Sequence, residues 1–153
     1  MIKVQFSIGV RRAYLMNEIV SFEFELKKHN NRRVFAMYSE LELEQQPLID
    51  DDQWGRLESE LGLEMLQEFA QEFFEETREI WFASGFDPSS MEEKAFKSLA
   101  HRSAGAAGTI GFQKLRFVFL CMEHNPLGDQ TLKYLATMQT IFQSTQEWVQ
   151  NKQ

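Results

Sequence analysis

Apolar residues recur every three or four positions through most of the chain beyond residue 50. Trp54, Leu57 and Leu61 share one helix face. They follow Asp50-Asp51-Asp52, a run that offers an N-cap and favourable charge at a helix start. Gly62 interrupts. Leu63, Leu66, Phe69, Ala70, Phe73, Phe74, Ile80 and Trp81 then set the face of a longer helix, predicted over residues 63–83. Its glutamates mostly point elsewhere, as a solvated face would. Gly85 is a C-cap candidate, and Asp87-Pro88 prevents continuation. Ser89 or Ser90 is predicted to cap the next helix, with Glu92 and Glu93 in its first turn and its end near Gly108. Two more helices are predicted, from Phe112 to about His124 before Asn125-Pro126, and from about Gly128 to Val149. Amphipathic helices with short connections predict an all-α fold, an antiparallel four-helix bundle with a short leading helix.

Residues 1–46 break this pattern and read as an N-terminal extension, with residues 47–153 as the bundle. Val4, Phe6 and Ile8 alternate with polar residues, as do Val20, Phe22, Phe24 and Leu26, which is a strand period. His29-Asn30-Asn31 is turn-like, so a β-hairpin is a candidate. Leu15, Ile19, Phe22 and Leu26 also fit a helix face, and the two readings stay open. The charge breaks at nearly the same place. Residues 1–36 carry seven basic and three acidic residues, while the remainder carries nine and twenty.

Composition narrows the function classes. The 153 residues suffice for one domain with its own core. A net charge of -7 disfavours nucleic acid and anionic membrane as partners. No apolar run reaches the roughly 18 residues of a membrane span, and the first residues lack a signal-peptide pattern, so a cytoplasmic location is expected. The single cysteine, Cys121, sits in an apolar setting and reads as a small core residue. His29, His101 and His124 are widely scattered, and no metal site is expected. The phenylalanines and Trp81 around residues 69–86 are expected mostly in the core, with some left for a partner or a weak dimer; a monomer or weak dimer is the expected state.

Chemistry concentrates in the run from Ala100 to Gly111, Ala-His-Arg-Ser-Ala-Gly-Ala-Ala-Gly-Thr-Ile-Gly. A helix interior normally avoids glycine, at about 1 kcal/mol each relative to alanine. Gly105 and Gly108 lie four and seven residues after His101, on the same face, and Lys97 extends that face one turn back. Phe96, Ala100, Ser103, Ala107 and Ile110 form the opposite stripe, suited to a core. His101 would thus project beside bare backbone, with Lys97 and Arg102 able to supply positive charge to a phosphoryl group. The same pattern also fits a plain surface histidine on a helix whose small residues only permit close packing.

The run resembles the phosphoacceptor motif of the histidine-containing phosphotransfer (HPt) family. That motif has a histidine after a small residue, a lysine three positions on, and glycines four and ten positions on. Ala100, His101, Gly105 and Gly111 match it; Ala104 stands where the family has lysine. Leu57 to Gly62 looks like the family's short leading helix, Phe69 and Phe73 with their acidic neighbours like the next, and Leu115 to Glu123 like the helix after the motif. The resemblance spans about residues 47–150. It implies a phosphorelay intermediate. His101 would be the phosphoacceptor, supported by Lys97, Arg102, Gly105 and Gly108. Its partners would be receiver domains of response regulators or hybrid histidine kinases. No cofactor is implied for this chain, any Mg2+ belonging to the receiver. No glycine-rich phosphate loop or nucleotide fingerprint is present, so the chain would not be an autonomous kinase. The missing lysine motivates an alternative, a helical adaptor that docks receivers without carrying phosphate.

Overall fold

A computed structural model describes residues 38–153. The extension's proposed hairpin, in residues 1–36, lies outside the described residues. Those residues form six α-helices and one 3-10 turn, with no strand among them. The helices are α1 (Glu40–Gln45), α2 (Asp51–Leu61), α3 (Leu63–Trp81), α4 (Glu93–Ile110), α5 (Gln113–His124) and α6 (Asp129–Gln150).

Several helix starts have a local cause. The Ser39 hydroxyl accepts the Glu42 N–H at 3.2 Å and opens α1. The Asp50 carboxylate accepts the Gln53 N–H at 3.0 Å and opens α2. Gly62, at φ +81°, ends α2 and begins α3 in a conformation that favours glycine. The start of α4 differs from the sequence expectation. Ser89 and Ser90 do not cap it but lie within the 3-10 turn Pro88–Ser90. Asp87 caps that turn, accepting from the Ser89 N–H at 2.9 Å and from its hydroxyl at 2.6 Å. With Asp87 satisfied there, α4 begins only at Glu93.

Helix α1 was not expected. Its sequence, Glu-Leu-Glu-Leu-Glu-Gln, is too short to show a helical period. It nevertheless buries Leu43 in the common core, against α5. Residues 38–46 therefore belong to the same packed body as the helices after them.

Helices α4 and α5 make the closest pair, because Ala100, Ala104 and Ala107 on α4 are buried and bring no bulk between the axes. Around that pair the aromatics cluster, one pair stacked and others edge-on or tilted. Phe112 meets Phe74 at 5.3 Å and Phe73 at 5.3 Å between ring centroids, and Trp81 meets Phe119 at 5.2 Å. Each such ring, fully buried, contributes about 1.5–3 kcal/mol relative to exposure. Ser103 accepts the indole N–H of buried Trp81 at 2.9 Å, so the hydroxyl in the apolar stripe has a partner. No helix among the described residues is long and apolar enough to cross a membrane.

Candidate functional site: a histidine–carboxylate pair between α4 and α5

The chain reverses at Gly111, which adopts φ +91° and ends α4. The Asp50 N–H donates to the Gly111 carbonyl at 2.8 Å, tying the turn to the start of α2. His101 lies ten residues before this glycine and Glu123 twelve after it, so the reversal brings them side by side. Nδ1 of His101 is 2.8 Å from Oε1 of Glu123. An ionised carboxylate only accepts hydrogen bonds, so Nδ1 is the donor of this bond. The His101 side chain is 38% exposed and that of Glu123 18%. The carboxylate is thus largely sheltered while the ring reaches solvent.

An open cleft of about 760 Å³ surrounds the pair. Lys97, Ser98 and His101 line it from α4, and Glu123 and His124 from the end of α5. Nζ of Lys97 bridges to Glu93 at 3.0 Å. Of the residues singled out by the sequence, Lys97 shares the cleft with His101, whereas Arg102 is exposed and outside its wall. Gly105 is half-buried. Gly108 has a different neighbour: a Cβ there would stand 2.7 Å from Cδ of Arg116, whose side chain lies across the glycine. Its lack of a side chain therefore serves packing between α4 and α5. Ala104 is 2% exposed and part of the core.

Two partners were not assembled by reading one helix at a time. His124 follows Glu123, and its Nε2 is 3.6 Å from Oε2 of the same carboxylate. Tyr38 stacks on the His124 ring, with centroids 4.7 Å apart and planes 11° from parallel. Burial lowers the pKa of His124; Glu123 opposes that shift, and His101 and Lys97 add to it. The available signal was the similar distance of positions 101 and 123 from Gly111, ten and twelve residues, which requires knowing that α4 and α5 pair.

The arrangement can present an imidazole as a nucleophile, its ring oriented by a carboxylate. Among the described residues no group of three histidine, cysteine or acidic side chains is placed to hold a metal ion. No protein-family model matches this chain, and neither a curated protein nor a solved structure matches it.

Proposed function

We propose that this chain is a phosphorelay intermediate, a four-helix bundle of the HPt kind that carries a phosphoryl group on His101 between receiver-domain aspartates. Helices α3 to α6 would be the bundle and α2 the leading helix. The observation that carries the reading is the His101–Glu123 pair at 2.8 Å, on a partly exposed ring in an open cleft.

In the forward step, Nε2 attacks the phosphorus of an aspartyl phosphate. The N–P bond forms, the acyl P–O bond breaks, and its electron pair leaves on the aspartate carboxylate. Glu123 orients the ring through Nδ1, leaving Nε2 as the nitrogen for attack, and offsets the positive charge that develops on the ring. Lys97 stands one turn away on the cleft wall as a cation for the phosphoryl oxygens. Metal-assisted stabilisation of the transition state would belong to the receiver.

The adaptor reading draws on Ala104, which is apolar and buried where the family has lysine. One experiment separates the two. Phosphorylated receiver domains are incubated with the wild-type chain and with His101→Gln. The relay reading expects label on the wild type, acid-labile and base-stable, and none on the variant. Receiver binding without label on the wild type would replace the relay with the adaptor.

A further inference from the structure

We propose that His124 is the acceptor of the proton that Nδ1 of His101 gives up when Nε2 is phosphorylated, with the Glu123 carboxylate as the bridge between them. The inference rests on the phosphorelay reading of His101 and adds a second histidine to its chemistry.

The geometry is that of a carboxylate shared by two imidazoles. Oε1 of Glu123 is 2.8 Å from Nδ1 of His101, and Oε2 is 3.6 Å from Nε2 of His124. Oε2 is buried and has no hydrogen-bond partner among the described residues. A buried acceptor left in that state is costly. At 3.6 Å the two atoms are beyond hydrogen-bond distance; a proton placed between them would close the gap with a charge-assisted bond. Among the described residues His124 is thus placed to satisfy Oε2 once a proton lies on its Nε2.

Attack by Nε2 leaves the phosphorylated ring with its Nδ1 proton and a positive charge. Transfer of that proton to Oε1 neutralises the ring and would leave Glu123 protonated. Passing a proton from the carboxylate to Nε2 of His124 restores the carboxylate and produces an imidazolium beside it. The net change is one proton moved from His101 to His124, and the cation stays in the cleft, where it offsets the charge of the arriving phosphoryl group. The reverse transfer returns the proton.

The surroundings suit this role. The groups facing His124 are Glu123 on its own helix, His101 and Lys97 on α4, and Tyr38, whose stacked ring fixes the plane of the imidazole. Glu92, Glu93 and Lys94 stand further along the cleft. Burial, with His101 and Lys97, lowers the proton affinity of His124, which favours its neutral form before phosphorylation. New negative charge on His101 acts in the opposite direction.

The test follows the imidazole nitrogens of the full chain by NMR as pH is varied, with phosphoramidate as the phosphoryl donor to His101. The titration midpoint of His124 is expected to rise on phosphorylation. It is also expected to rise in His101→Gln, which removes a competing cation and frees Glu123. In His124→Gln and His124→Phe, phosphotransfer is expected to slow roughly tenfold or more. The second variant retains the stacked ring without a titrating nitrogen. A His124 midpoint unmoved by both His101→Gln and phosphorylation overturns the inference, as does failure of phosphoramidate to label His101. If receivers fail as donors while phosphoramidate succeeds and the midpoint rises, the relay reading falls and the proton route stands. If receivers phosphorylate His101 and the midpoint does not move, the reverse holds.

Discussion

Cys121 and His101 show how differently one helix pair treats two reactive side chains. Cys121 is fully buried, and its thiol is pushed up to about 12, chiefly by burial, with a hydrogen bond from Tyr134 opposing. Only a thiolate attacks, so this thiol is inert at neutral pH. An aromatic disulfide reagent should leave the folded protein unreacted and titrate one thiol after denaturation; rapid reaction of the native chain would contradict this packing. The sequence placed Cys121 in the core correctly, since its apolar neighbours are a recognisable local context. It did not assemble Glu123, His124 and Tyr38 around the histidine, because those contacts cross from one helix or segment to another. It also gave Gly108 a role in approach to the imidazole, where its closest neighbour is Arg116.

Helix identities were legible from period, and their ends less so. The span from Gln113 to His124 matches its expected bounds within a residue, because Asn125-Pro126 is an unambiguous stop. The start of α4 was displaced, because Asp87, Ser89 and Ser90 are all capping residues and only the fold shows which is used. Gly111 is the most consequential end. A Cβ there would stand 3.2 Å from the Asp50 carbonyl oxygen and 3.3 Å from the Trp54 nitrogen, at a φ of +91°. A non-glycine residue in the left-handed region costs about 1–2 kcal/mol before any crowding. Gly111→Ala should therefore lower Tm by about 4 °C or more in a protein of this size. Thermal unfolding checks it, and an unchanged midpoint would mean that the junction of α2, α4 and α5 yields easily. Gly111, ten positions after His101, thus has a structural duty: it makes the reversal that brings Glu123 to His101.

The expected division of the chain at residue 46 followed the charge break and the lack of helical period, and packing cuts across it. Tyr38 stacks on His124, its carbonyl accepts from the Asn125 amide at 3.0 Å, and Leu43 is 2% exposed in the core that α5 completes. Charge patterning speaks to partners and solubility, and says little about which apolar side chain finds a place in a core. Leu43→Ala decides how far α1 is part of the fold. A buried leucine truncated to alanine costs about 2–5 kcal/mol, according to how well the site can collapse. If α1 is integral, the variant unfolds in one cooperative transition at a clearly lower temperature, and the His124 resonances shift with it because Tyr38 is carried on the same segment. If α1 is an appendage, the midpoint stays where it was and the histidine cleft is undisturbed. The burial of Leu43 and the stacking of Tyr38 favour the first outcome, and with it a His124 ring held in place from the segment that carries α1.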